Sequence, residues 1–281
     1  MSAPYHEGEL RAQALAGEIS YGNGIRPSMP DQHRHFFAAL PFVLVGTVEA
    51  DGRPRARVAA GAPGFIGSLD AHSLRIAVQD SGLRAGQALG LLGIDFGTRR
   101  RNRLNGVVRS ADGGAVLIDV RESFGNCPQH IVVRDVRAVA AAAEVVVREF
   151  DGLSDEPGVR AMIARADTFF IATSGGAHGV DISHRGGPAG FVRIEGDTLI
   201  VPDFGGNRYF NTLGNVLLDA RAALLFIDDA SGAVLELEGR VEIVWDEGAA
   251  LPGQAGGRHW RFTAGRGRIT HGALALRWTR R

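Results

Sequence analysis

Two stretches of this sequence carry residue types that could hold an anion. The first, Val201-Pro-Asp-Phe-Gly-Gly-Asn-Arg-Tyr-Phe-Asn-Thr-Leu-Gly-Asn-Val216, lies between the short apolar runs 199–201 and 222–227. Its middle reads as a tight turn opening a short helix. Gly205 and Gly206 let the backbone approach a ligand closely. Asn207 is placed to cap the helix, and Tyr209, Phe210 and Leu213 give it one apolar face. A helix N-terminus with Arg208 in its first turn suits a phosphate. The plain alternative is a capped surface helix with Arg208 in water. The second stretch is Thr98-Arg-Arg-Arg-Asn-Arg-Leu-Asn-Gly106. On a strand, alternate side chains face opposite ways, so Arg99, Arg101 and Arg103 share one face and Arg100 and Asn102 the other. At most one set can line a pocket. The alternative is a solvated edge that discourages strand aggregation.

The elements that must position these residues read as short strands. The 281 residues are 45% hydrophobic, enough for one or two domains with ample core. A helix is expected over residues 5–19, with Leu10, Leu15 and Ile19 as a thin stripe, and another over 31–40 with Phe36 and Phe37. Residues 42–48 are β-branched and apolar and read as a strand, residues 49–52 as a hairpin turn and 53–60 as its return. Further strands are expected at 74–78, 91–96, 103–108 and 115–121. Short strands with glycine turns and no long crossover helices mean a closed antiparallel barrel or sandwich.

The pattern then restarts, with a helix at 156–166 and strands at 168–173 and 180–185. Thr47 to Phe65 matches Thr173 to Phe191 at a displacement of 126 positions. Leu91-Leu-Gly-Ile94 matches Leu224-Leu-Phe-Ile227, and Gly106 matches Gly239, both at 133. The halves are diverged copies of one unit. Asp95-Phe-Gly97 mimics Asp203-Phe-Gly205 but breaks this register, which pairs Asp203 with Asp80 instead. The first copy therefore lacks the helix near Asn207. In return, the counterpart of the first copy's basic strand, Ser231-Gly-Ala-Val-Leu-Glu-Leu-Glu-Gly239, has no base. Copies packed face to face would bring the helix end of one and the arginines of the other to a single anion pocket.

Val180–Phe191, Asp203–Arg208 and Leu224–Asp228 in this order resemble the FMN-binding split barrel of the pyridoxamine 5′-phosphate oxidase-like superfamily. More narrowly, the chain is similar to two-barrel predicted flavin-nucleotide-binding proteins, through His6–Glu9, the strand 99–106 and Asn126-Cys127-Pro128. The similarity runs to about Val244. It implies a mainly β chain of two tandem antiparallel Greek-key split barrels, six strands each, with short helices. FMN would be held non-covalently where the barrels meet. Carried over by position, Ser183, Arg185, Asn207, Arg208 and Asn211 would serve the phosphate, and Arg100, Arg101, Asn102 and Arg103 the flavin or substrate from the facing barrel. The oxidases place lysine beside the phosphate, whereas every base here is arginine. A guanidinium gives the same oxyanion bidentate contacts. The oxidases' complete substrate-phosphate set has no counterpart, so the resemblance implies a flavoprotein other than a true pyridoxamine-phosphate oxidase. Hydride or electron transfer between FMN and a small molecule or reduced nicotinamide is the expected activity. The alternatives are a redox-silent flavin carrier or sensor, and a flavin-free barrel that binds an anionic ligand or partner.

The remaining chemistry is thin. Cys127 could be a thiol near the flavin with His130 as its proton partner; a small buried hydrophobe is the plain reading. One cysteine excludes an internal disulfide, and no lysine means no Schiff base. His33 and His35 diverge on a helix, His178 and His184 read as surface or lining residues, and Asp228-Asp229 as a solvated turn. No metal spacing, Walker loop or Gly-x-Ser-x-Gly occurs. Acids and bases balance at 31 each, which argues against a nucleic-acid or membrane partner. The polar N-terminus makes a cytoplasmic protein the expectation. The expected divisions are a helical segment 1–40, barrels at 41–150 and 151–245, and a basic, aromatic tail 246–281. That tail could close over a pocket or serve an oligomer contact, and a homodimer is one possible assembly.

Overall fold

The computed structural model describes residues 4–79, 81–206, 208–245 and 258–281. Two helices, α1 (Glu7–Leu15) and α2 (Asp31–Ala38), lead into β1 (Phe42–Val48), β2 (Pro54–Ala60), β3 (Ile66–Asp70), β4 (Ser73–Ala77), β5 (Ala88–Asp95), β6 (Arg100–Asp112) and β7 (Ala115–Gly125). The connection between the halves carries β8 (Arg134–Ala138) and β9 (Val146–Asp151). The second half is α3 (Pro157–Arg165), β10 (Thr168–Ser174), β11 (Val180–Gly186), β12 (Arg193–Glu195), β13 (Thr198–Pro202), α4 (Asn211–Leu218), β14 (Arg221–Ile227), β15 (Val234–Val244), β16 (His259–His271) and β17 (Leu276–Arg280).

The first sheet runs β2-β1-β5-β6-β7-β4-β3, the second β11-β10-β14-β15-β16-β13-β12. Strand for strand the two orders are the same. The bulges coincide as well: β6 shifts register between Asn105 and Gly106, β15 between Glu238 and Gly239. A Cβ on Gly106 would lie 2.3 Å from the Asp119 carbonyl oxygen, and one on Gly239 2.2 Å from that of Thr263. Both bulges thus need glycine for the same close approach. This is the split-barrel architecture, made twice, with a short β3 or β12 added at the edge of each expected six-strand set.

Alternation explains how two barrels share one body. Val43 and Val45 of β1 and Leu89 and Leu91 of β5 point into the first barrel's core. Phe169 and Ile171 of β10 and Leu224 of β14 do the same in the second. Their neighbours Phe42, Leu44, Leu92, Phe170, Ala172 and Leu225 form a third apolar cluster between the barrels. These strands are buried on both faces, hence their unbroken apolar runs.

Several expectations need correction. The stripe expected over 5–19 faces water: Leu10 and Leu15 of α1, and Ile19 beyond its end, are all exposed. The buried face is Gly8, Glu9, Ala12 and Gln13, because small residues let α1 lie close against α4. From 259 the supposed tail contributes β16, which pairs with β15, β13 and β9, and β17, which pairs with β8. The arginine strand is no edge: β6 lies between β5 and β7. Asp228 and Asp229 are not simply solvated, since Arg165 and Arg134 bind them. Helix α4 begins at Asn211, with Phe210 left-handed at its N-cap and no side-chain cap, so Arg208 precedes the helix rather than entering its first turn. Asn207 and Asp80 lie outside the described residues. Among the described residues no helix separates β4 from β5, so the first copy shows no counterpart of α4 there. No described helix is long and apolar enough to cross a membrane.

Candidate anion-binding cleft between the barrels

On one side the seam opens into a cleft of about 350 Å³. The first barrel offers Arg101 and Arg103, which share the seam face of β6 because alternate residues do. The second offers Ser183, His184 and Arg185 from β11, the loop from Asp203, and the first turn of α4. Arg258, at the start of β16, closes the far side.

The arginines differ in how their charge is met. Arg185 Nη1 lies 3.0 Å from Asp203 Oδ1, and Arg258 Nε 2.7 Å from Asp203 Oδ2, so one carboxylate serves two guanidiniums. Arg103 donates to Asp181 and, at 2.9 Å, to Asn211 Oδ1. Among the described residues Arg101 has no carboxylate partner. Its Nη1 donates to His184 Nδ1 at 2.7 Å and its Nη2 to the Cys127 carbonyl oxygen at 2.6 Å. Burial, with Arg103 and Arg185 beside it, lowers the Arg101 pKa to about 10. Burial likewise lowers Arg185 despite Asp203, and it holds His184 far below its ordinary value, with Arg101 and Arg134 adding to the effect. His184 is therefore neutral and can accept the Arg101 hydrogen bond. Burial sets the direction of each shift, and at Arg101 no carboxylate among the described residues offsets it.

Unmet hydrogen-bond donors point the same way. The Nε atoms of Arg101, Arg103 and Arg185, and Nε2 of His184, are buried with no partner among the described residues. A buried donor left unpaired costs about 1–3 kcal/mol, so four at one cleft call for an acceptor. Strain gathers here too. Of the four described non-glycine residues with positive φ, His130, Arg208 and Phe210 all line the cleft, and such strain concentrates at ligand sites.

The structure brings together Arg101, Arg103, Ser183, Arg185, Arg208 and Asn211. It separates Arg100 and Asn102, which lie on the other face of β6. Arg100 stacks over the Phe36 ring at 5.1 Å and Asn102 is buried away from the cleft. Arg208 reaches the rim, where it is 62% exposed and paired with Glu18 at 3.0 Å. Ser183 accepts from Thr212 at 3.0 Å. His130 stacks on Phe204 and its Nε2 meets the Gly205 carbonyl oxygen at 3.1 Å. No hydrogen bond joins it to the Cys127 thiol. Asp203 and Arg258 were not among the expected site residues, and His184 was expected only as a surface or lining residue, which it is. A buried histidine beside Ser183 and Arg185 could have been suspected from strand alternation, but Arg258 arrives from a strand distant in sequence and left no local signal.

The chain can now be set beside known proteins. The family described as Pyridoxamine 5'-phosphate oxidase matches residues 156–271, which comprise the second barrel from α3 through β16. No curated protein matches the sequence. Among solved structures, a FAD-binding protein from Mesorhizobium loti is 12% identical, with 44% of this chain and 98% of that one covered and a TM-score of 0.31. HupZ from Group A Streptococcus is 15% identical over 34% of this chain and 94% of its own, TM-score 0.27. MrkH of K. pneumonia, in complex with c-di-GMP, is 10% identical over 86% and 87%, TM-score 0.26. The family match is confined to the second half of the chain, and the first half repeats the strand order of the second.

Proposed function

We propose that this protein binds one FMN per chain in the cleft between its barrels and passes hydride or electrons between that flavin and a small molecule or reduced nicotinamide. The observation that carries the reading is Arg101: a largely buried guanidinium with no carboxylate partner among the described residues, beside two more arginines with unpaired Nε atoms. Three guanidiniums, the Thr212–Ser183 hydroxyl pair and the α4 N-terminus suit a phosphate that carries close to two charges. Arg185 and Ser183 are the residues to hold it, and Arg101 and Arg103 face it from the other barrel. A bound flavin supplies the redox chemistry; the chain supplies position and electrostatics. Aromatic Phe204 and His130, stacked at 5.2 Å, offer a flat wall for a ring system. The family likeness of residues 156–271 supports the same reading.

The test is the visible spectrum of the protein as purified and after incubation with FMN and desalting, followed by added reduced nicotinamide. Flavin bands retained at one per chain, then bleached, are the expected result. Retention without bleaching would leave a carrier or sensor. No retention in either sample would leave an anion-binding barrel without flavin.

A further inference from the structure

Helix α1 crosses α4 at very close range. A Cβ on Gly8 would lie 2.3 Å from the Gly214 carbonyl oxygen, and one on Gly214 2.6 Å from the Glu9 backbone. Glycine at both positions lets the Glu9 carboxyl reach the first turn of α4, where it is only 4% exposed. Glu9 Oε2 accepts from the His6 backbone N–H at 3.0 Å, closing a capping box. Glu9 Oε1 accepts from Asn211 Nδ2. Asn211 then turns its Oδ1 to Arg103 Nη1 at 2.9 Å. Carboxyl, amide and guanidinium form a relay from three elements, and its last member stands in the arginine cleft. At its other end lies a separate acidic cavity of about 360 Å³, lined by Glu9, Glu122 and Asp181.

We propose that Glu9 is a positioning residue for the anion site, acting through Asn211 on Arg103, so that the charge on Glu9 and occupancy of the cleft are linked. The proposal rests on the reading of the cleft as a phosphate site. An ionised Glu9 polarises Asn211 and draws the Arg103 side chain toward α4; it also presents like charge to an incoming anion. The groups that face Glu9 set its sign. From its own end of the chain these are His6, Glu7 and Tyr5; from β11, Asp181; from β7, Glu122; from β6, Arg103; and from the 176–178 turn, His178, which stacks on His6. Arg103 is the only guanidinium among them, and it already serves Asp181. Burial, then Asp181, then Glu122 raise the Glu9 pKa to about 8, against the His6 N–H and Asn211. The raised value means that Glu9 favours the fold below its ordinary pKa and that this contribution is lost as pH rises toward about 8. An anion in the cleft adds negative charge and raises Glu9 further, so binding takes up a proton. By reciprocity, affinity falls as pH rises through 8.

The experiment compares FMN binding by the wild-type protein and Glu9→Gln, a stand-in for the protonated acid, from pH 6.5 to 9.5. The two should agree within about twofold at pH 6.5. At pH 9.5 the variant should bind roughly tenfold tighter, the effect of about one unit of coupling. Superimposable profiles would overturn the proposal. A second readout is independent of the flavin: the infrared band of a protonated carboxyl should titrate near pH 8 in the wild-type protein and be missing from Glu9→Gln. If it persists unchanged in the variant, the assignment to Glu9 is wrong. Should FMN fail to bind at any pH, the flavin reading falls and inorganic phosphate becomes the probe. A midpoint that moves to higher pH with phosphate supports the relay; one that stays put overturns it.

Discussion

The seam between the barrels has two sides related by the duplication, and they have drifted to opposite ends. The displacements of 126 and 133 positions that align the copies map Arg55 onto Asp181 and Arg103 onto Glu236. On the cleft side, Arg103 of the first barrel pairs with Asp181 of the second. On the closed side, Glu236 of the second pairs with Arg55 of the first at 3.0 Å, the same bridge with its charges exchanged. What surrounds each bridge differs. Beyond Arg103 stand Arg101 and Arg185, where the closed side has Val234 and Ala59 at the matching positions. Beyond Arg55 stand Glu238 and Arg53, which join at 2.6 Å, and Arg55 also binds Glu238. One side balances its charge internally. The other keeps a cationic surplus, and among the described residues it alone has a helix between the fourth and fifth strands. A duplicated barrel that needs one ligand site can spend its second seam on holding the halves together.

That contrast can be broken by exchanging losses. The largest effect should come from Arg55→Met, which leaves Glu236 and Glu238 close together without their shared cation. Burial already pushes the Glu236 pKa up with the arginine in place. Both side chains are 16% exposed, and removing one partner of such a largely buried pair costs about 3 kcal/mol, so chemical denaturation should show a loss near that size while FMN affinity holds. Next comes Arg101→Met, with the reverse pattern. It deletes two hydrogen bonds but also an uncompensated buried charge, so apo stability should move by less than about 1 kcal/mol. FMN affinity should fall by about 2 kcal/mol, roughly thirtyfold, as a charge-assisted contact is lost. If both variants lose stability alike and neither changes binding, the two sides of the seam do the same structural job.

Much of this was legible in the sequence because the duplication supplies its own alignment. Strands β1, β5, β10 and β14 announce themselves as apolar runs since both faces are buried. Gly106 and Gly239 mark equivalent bulges, and strand alternation put Arg101 and Arg103 on one face. The failures share a cause, which is that the partner lay far away in sequence. The inner face of α1 is polar and small because it meets α4, and no hydrophobic stripe can report that. In β16, Trp260, Phe262 and Ala264 alternate inward while arginine and threonine alternate outward. That period was visible but was masked by a basic, glycine-rich composition. The loop before α4 takes left-handed turns at Arg208 and Phe210, residues whose types do not advertise such a backbone, so the helix starts later than the glycines suggest.

The smallest effect expected is at Arg208, and it separates the motif from the site. The sequence puts this residue at the centre of the phosphate turn, which would make Arg208→Ala as damaging as Arg101→Met. The structure puts its guanidinium at the rim, largely in water and held by Glu18. An exposed ion pair of this kind is worth about 0–1 kcal/mol and is screened by salt. Arg208→Ala should therefore weaken FMN by less than about fivefold, and raising the salt concentration should erase the difference, because a rim charge acts mainly by long-range attraction. The buried Arg101 effect should survive the same salt. A salt-resistant thirtyfold loss at Arg208 would mean that the loop closes over the ligand and carries this arginine inward.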